Sequence, residues 1–170
     1  SLPISLIVPL IMYVGALPSR TPFRLASTCN VLALAVLAGS VIAAQWTATD
    51  PYWIAGTGPH SVVIGLLVCL LSYVLVQFSR NYLAGDPNKK QYTTHLQLTA
   101  GSVLLVVLSN HLAVFIVGWI AISLGLHRLL LFYPDRPEAV EAARKKFLFA
   151  RFSEVLLIAA AALLYQEFQT

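Results

Sequence analysis

Apolar residues run along this chain in blocks too long for a single helical stripe or strand face. Three early blocks, Leu2–Leu17, Leu25–Trp46 and Ser61–Tyr82, lie near the ~20 residues that carry a helix across ~30 Å of hydrocarbon. The first is short. Punctuation between them is of the kind that stops helices: Pro18-Ser19-Arg20-Thr21-Pro22, the Pro/Gly-rich stretch Thr47–His60, and Gly85-Asp86-Pro87-Asn88. A fourth block, from Tyr92 to Phe132, spans about 60 Å as one helix, roughly twice the hydrocarbon thickness. Ser109-Asn110-His111 interrupts it, so it divides into Tyr92–Leu108 and Leu112–Phe132. A final helix is expected over 137–166, opening at Pro137 with Glu138 in its first turn; its apolar part is Phe147–Tyr165.

The pattern predicts an all-α, polytopic transmembrane bundle in one membrane domain over 1–170. It has about six spans, at about 2–17, 25–46, 61–82, 92–108, 112–132 and 137–166. The first block lacks a basic leader and an A-x-A-like cleavage site, so it reads as a span and not as a signal peptide. With no Met at the start and no polar tail at Thr170, a piece of a longer chain is expected.

Loop charge orients the bundle. Arg20 and Arg24 follow the first span, Arg80, Lys89 and Lys90 the third, and Arg136, Arg144, Lys145 and Lys146 the fifth. The connections after the second and fourth spans carry no Lys or Arg. The positive-inside rule places the basic connections in the cytoplasm and the N-terminus outside. Without the split at Ser109–His111, one basic loop would fall on the wrong side.

Composition agrees. Hydrophobic residues make up 58% and charged residues 11%, where a soluble domain carries about 25% charged. The net charge of +4 is therefore orientation information; no basic–aromatic surface supports nucleic-acid binding. Cys29 and Cys69 sit in apolar blocks without ligand spacing, so neither a disulfide nor a metal is expected. No nucleotide loop or nucleophile–base arrangement is present, and the chain reads as an ion conduit with no catalytic residues and no cofactor of its own.

Ionisable residues within spans cost roughly 2.5–3.5 kcal/mol at a helix centre and are functional candidates by default. Glu154 falls near the middle of the last span, with Arg151 three residues earlier on the same face. The pair is either a proton- or cation-handling carboxylate tuned by a guanidinium, or a structural ion pair. His127 is a proton carrier or a packing histidine, and Arg128 an ion-path residue or a side chain snorkelling to the interface. The short connection between the last two spans makes them antiparallel neighbours, bringing His127, Arg128, Arg151 and Glu154 toward one cluster in the inner half of the bilayer. Lys145 and Lys146 are interface anchors or an ion-entry or partner contact; Asn110 and His111 form an outer turn or a channel mouth. Trp46, Trp53, Tyr82, Tyr133 and Tyr165 read as interfacial aromatics.

Three stretches together resemble the antiporter-like membrane subunits of respiratory complex I and of multisubunit cation/proton antiporters. They are Arg80-Asn81-Tyr82-Leu83-Ala84-Gly85-Asp86-Pro87, Val107-Leu108-Ser109-Asn110-His111-Leu112 leading to Gly118-Trp119, and Arg151-Phe152-Ser153-Glu154-Val155. The resemblance covers Ser61 to Thr170 and implies the N-terminal part of such a subunit. In the complex I type a glutamate central to proton transfer follows the Gly-Trp pair; here that position is Ile120, which cannot carry a proton. Arg151 and Glu154 match the family's arginine and carboxylate. The segment Trp119 to Pro134, with His127-Arg128, and Arg144-Lys145-Lys146-Phe147 are similar to the divergent DabB branch. That resemblance implies a membrane subunit for bacterial inorganic carbon accumulation. It also implies a large cytoplasmic zinc-binding partner of the DabA type that hydrates CO2 to bicarbonate, and a gradient of H+ or Na+ across the bacterial inner membrane as the driving force. The other implied reading is a proton-translocating subunit of complex I or of a cation/proton antiporter.

Overall fold

The computed structural model describes residues 4–17, 21–47, 59–132 and 137–168. All regular structure among them is helical: α1 (Ile4–Gly15), α2 (Pro22–Thr47), α3 (Pro59–Tyr82), α4 (Lys89–Leu108), α5 (Leu112–Leu130) and α6 (Pro137–Phe168). Three of these helices open on proline, whose missing N–H is an orphan at a helix start and whose φ is already helical. The turn after α3 closes on Gly85 at φ 103°, a left-handed conformation that glycine adopts without a Cβ clash. Asp86 then accepts the Asn88 N–H at 2.8 Å, setting up the start of α4. The break at Ser109–His111 is present, with Ser109 and His111 in extended backbone between α4 and α5.

Helices α1 to α4 form a four-helix core in which α1 packs on α2 and α4, α3 on α2 and α4, and α2 also meets α4. Helix α5 lies along α4, and α6 packs on α5. One apolar cluster joins Val8, Met12, Ala33, Leu37, Cys69, Leu104 and Leu108. A second joins Ala26, Val76 and Leu96, with Phe23, Tyr92 and Leu129 against it. The second cluster collects the start of α2 and α4 and the end of α3 and α5. Arg24, Arg80, Lys89, Lys90 and Arg128 therefore sit at one end of the bundle.

The distribution of polarity is that of a membrane bundle. Asn30, Ser40, Ser72, Ser79, Thr93, Gln97 and Ser102 are buried between helices, while Val63, Leu67, Leu71, Val74 and Phe78 of α3 are exposed. Water would favour the reverse; lipid favours this arrangement, because polar side chains in hydrocarbon need protein partners. Four helical stretches are long and apolar enough to cross a membrane: Pro22–Ile42, His60–Tyr82, Leu112–Leu130 and Val140–Gln166. Helix α1 is shorter, at 12 residues. The 20-residue α4 carries Thr93, Thr94, His95 and Gln97, which lower its hydropathy. Its central position explains the tolerance, since these residues face other helices instead of lipid.

Close approach of α4 and α5 depends on glycine. A Cβ on Gly118 would lie 2.7 Å from the Val106 side chain, and one on Gly125 would collide with Thr99. The two glycines lie on the same helix face, the small-residue pattern by which membrane helices pack without hydrophobic drive between them. Among the aromatics expected at the interfaces, Tyr82 and Tyr165 are exposed. The side chains of Trp46, Trp53 and Tyr133 lie outside the described residues.

Candidate functional site

Helices α5 and α6 run antiparallel, as contacts at three levels show. Lys146 meets Ser123, Phe147 meets His127, and Tyr165 shares a cavity with His111. This register turns one face of α6 toward α5 and makes Phe147, Arg151 and Glu154 a stripe at i, i+4 and i+7 spacing.

Glu154 is the buried charge of that stripe, 4% exposed. Arg151 Nη2 donates to Glu154 Oε1 at 2.6 Å, a short charge-assisted bond across one helical turn. The guanidinium carbon lies 5.0 Å from the centre of the Phe147 ring, within cation–π range. The His127 ring sits 4.8 Å from the same Phe147 ring. Phe147 thus links His127 to the Arg151–Glu154 pair, so three of the four residues expected in one inner cluster come together around an aromatic ring. Two buried nitrogens in it, His127 Nδ1 and Arg151 Nε, have no hydrogen-bond partner.

Lys145 and Lys146 separate sharply. Lys145 is exposed and bridges Glu141 at 2.7 Å, the geometry of a surface pair on one helix. Lys146 turns inward, where its Nζ donates to the Ser123 carbonyl at 2.9 Å. The ammonium also feels the charges of Glu154 and Arg151. It lines a cavity of about 250 Å³ with Trp119, Ser123 and Ser153. The site therefore holds one carboxylate and two fixed cations, one paired with the carboxylate and the other resting on a backbone carbonyl. The Ser123 hydroxyl is buried and unpaired beside it.

Arg128 stands apart from this cluster. It lines a cavity of about 400 Å³ between α4, α5 and the start of α6, with Asn88, Gln91, His95 and His127. His111 is exposed at the opposite end and lines a cavity of about 630 Å³ between α5 and α6 whose other walls are largely apolar: Ile116, Ile158, Ala161 and Tyr165.

The core of the bundle holds a polar centre that sequence reading did not single out. Gln97 of α4 is fully buried; its Oε1 accepts from Asn30 Nδ2 at 3.2 Å and Ser72 Oγ at 3.3 Å. Its Nε2 donates to the Ala26 carbonyl at 3.3 Å and lies 4.0 Å from Met12 Sδ. One amide thus ties together α1, α2, α3 and α4. A Cβ on Gly15 would fall 2.7 Å from the Gln97 nitrogen, so glycine there admits the amide. The signal was present as isolated Asn and Gln residues inside apolar blocks, but nothing in a linear pattern pairs Asn30 with Gln97. The cluster contains no titratable group, so it fixes helix register and does not carry charge.

Comparison with known proteins reaches the same segments. Residues 109–170 match the family model described as NADH:quinone oxidoreductase/Mrp antiporter, TM. A protein of Hydrogenovibrio crunogenus named "Probable inorganic carbon transporter subunit DabB" is 40% identical over 97% of this chain and 33% of its own length. "Probable inorganic carbon transporter subunit DabB2" of Halothiobacillus neapolitanus is 42% identical over 61% of this chain and 19% of its own. "NADH-quinone oxidoreductase subunit L" of Mycobacterium tuberculosis is 28% identical over 65% of this chain and 17% of its own. The chain spans about a third or less of the length of these relatives.

Proposed function

This chain is related to the DabB-type antiporter-like membrane subunits, and we propose that it forms part of the ion-driven membrane subunit of an inorganic carbon uptake complex. The observation that carries the reading is Glu154, a carboxylate buried in the apolar part of α6 and held by Arg151. A carboxylate there without a cation costs several kcal/mol, so it must always be paired or neutralised. Arg151 supplies that pairing in one state. A proton on the carboxyl, or a sodium ion beside it, supplies it in another, leaving the guanidinium on the Phe147 ring. Exchange between the two gives the site alternative arrangements without an unpaired buried charge. Lys146 sets the local field and holds α6 to α5 through Ser123.

In this reading all six helices cross the bacterial inner membrane, with the N-terminus outside and the basic end in the cytoplasm. In the same reading the chain needs no cofactor of its own. Hydration of CO2 to bicarbonate belongs to a large cytoplasmic zinc-binding partner of the DabA type, docked at the basic end, and the gradient of H+ or Na+ through the membrane subunit makes it one-way. The test is to express the full-length protein with its partner in a bacterium lacking carbonic anhydrase. Growth in ordinary air is expected, and failure to grow with both subunits present in the membrane counts against the reading.

A second reading is a proton-translocating subunit of complex I or of a multisubunit cation/proton antiporter. The similarity to the subunit L sequence favours it. Ile120, one residue after the Gly118-Trp119 pair, argues against it, because an aliphatic side chain there removes a proton-carrying group. Co-purification with quinone-reducing subunits supports this second reading; a single large soluble zinc-binding partner removes it. A third reading, a non-conducting scaffold for a cytoplasmic enzyme, predicts full activity when Glu154 is neutralised.

A further inference from the structure

The described lining of the cavity that takes in Arg128 suits an anion better than a cation. Its polar lining is Asn88, Gln91, His95, His127 and Arg128, and among the described residues no carboxylate lines it. The carboxylate nearest in sequence, Asp86, has one oxygen engaged by the Asn88 backbone N–H. Arg128 and His95 line the same cavity, His95 from α4 and Arg128 from α5. Phe132 and Phe147 supply flat apolar walls. The cavity lies at the basic end of the bundle and is separate from the Glu154 pair, which does not line it.

We propose that this cavity is a binding site for a small planar oxyanion, bicarbonate, at the basic end of α4 and α5. A guanidinium presents a rigid planar fork that matches two oxygens of a carboxylate-like group, which an ammonium does not. The amides of Asn88 and Gln91 add N–H donors. Bicarbonate differs from other planar monoanions in carrying one O–H. A neutral imidazole can accept from that O–H while the anion's other oxygens accept from Arg128. Nitrate has the same shape but no hydrogen to donate, and chloride has neither shape nor donor. Leaving a buried acceptor unsatisfied costs about tenfold or more in affinity. The charge and geometry of the site stand by themselves; the choice of bicarbonate as its occupant rests on the inorganic carbon reading above. An anionic lipid headgroup offers similar oxygens and is the other source of this chemistry.

The test is histidine protection in the full-length protein with its partner, held in zwitterionic lipid nanodiscs at fixed neutral pH in sealed vessels. Diethylpyrocarbonate modification of each histidine is read by mass spectrometry against sodium bicarbonate, sodium nitrate and sodium chloride at equal ionic strength. A further arm replaces part of the lipid with phosphatidylglycerol and adds no bicarbonate. His60 and His111, exposed at the other end of the bundle, are internal controls. Bicarbonate is expected to slow modification of His95 and His127 at a concentration about tenfold below that of nitrate, with the controls unmoved. Arg128→Gln is expected to abolish the protection. If that variant does not assemble, Gln91→Leu is expected to raise the protecting concentration severalfold in its place. Absence of protection, equal protection by nitrate or chloride, or protection by phosphatidylglycerol alone overturns the proposal. The measurement reads binding, so its failure is distinct from a failure to rescue growth in air, which reads transport.

Discussion

Glu154 and Arg151 form a pair whose two halves differ in burial. The carboxylate is buried and the guanidinium side chain is 36% exposed. Removing the arginine therefore does more harm than neutralising the acid. Arg151→Met leaves a buried carboxylate without its partner and is expected to lower stability by up to roughly 3 kcal/mol, discounted because the arginine reaches solvent or headgroups. Glu154→Gln keeps a hydrogen-bond acceptor for Arg151 and is expected to cost about 1 kcal/mol or less. Thermal unfolding of the two variants in detergent checks the order; an Arg151→Met protein as stable as the parent contradicts it. At the same scale Lys146 and Lys145 are adjacent in sequence and turn in different directions. Lys146→Met removes the ammonium from the Ser123 carbonyl and is expected to reduce uptake severalfold, while Lys145→Met leaves uptake unchanged; initial rates of labelled inorganic carbon entry distinguish them. Pattern alone did not separate the two lysines, because which of two consecutive helical residues turns inward depends on the register of α5 against α6.

The helices themselves were largely legible. Long apolar blocks, the start at Pro137 and the Ser109–His111 interruption located the described helices to within a few residues, although α2 and α3 begin on Pro22 and Pro59, which read as parts of the breaks, and loop charge gathered the basic residues at one end. Helix α4 is where pattern gave least. Its Thr, His and Gln residues weaken it as a hydrophobic span, yet it is the helix around which α1, α2, α3 and α5 are arranged. Its polar positions make sense only once their partners on other helices are known. Gln97→Leu leaves Asn30 and Ser72 without their shared acceptor and is expected to destabilise the bundle by about 1–3 kcal/mol, read as a lower midpoint of thermal unfolding. Asn30 keeps its bond to the Ala26 carbonyl at 2.7 Å, so adding Asn30→Leu is expected to recover only part of the lost midpoint. Gly125→Val meets Thr99 on the neighbouring helix and is expected to cost about 1–3 kcal/mol by overpacking; Thr99→Ala in the same chain should recover part of it.

Across the whole molecule, polarity is graded from the α1–α4 core outward. About 33% of the α2 span is buried within the protein, against 6% of the α6 span. Helix α6 carries Glu154 toward α5 and presents Phe149, Phe152, Val155 and Leu156 outward. The Arg151–Glu154 pair thus sits on the least covered of the four long apolar spans, separated by α5 from a core held by uncharged amides. Helix α6 rests mainly on α5, whereas the core joins four helices. The candidate site was legible in part for the same reason. Arg151 and Glu154 lie on one helix, where spacing suffices, whereas the inward turn of Lys146, the Phe147 contacts and the Arg128–His95 cavity depend on three helices meeting.

The central claim is that Glu154 handles the coupling ion and is not merely structural. The direct measurement is accumulation of radiolabelled inorganic carbon by cells that lack carbonic anhydrase and express the full-length protein with its partner. Parent, Glu154→Gln and Glu154→Asp forms are compared at equal amounts of assembled complex. The account predicts accumulation in the parent, partial accumulation in Glu154→Asp, which keeps an ionisable group, and background levels in Glu154→Gln. Accumulation by an assembled Glu154→Gln complex at the parent rate would contradict it and leave the pair as a packing device.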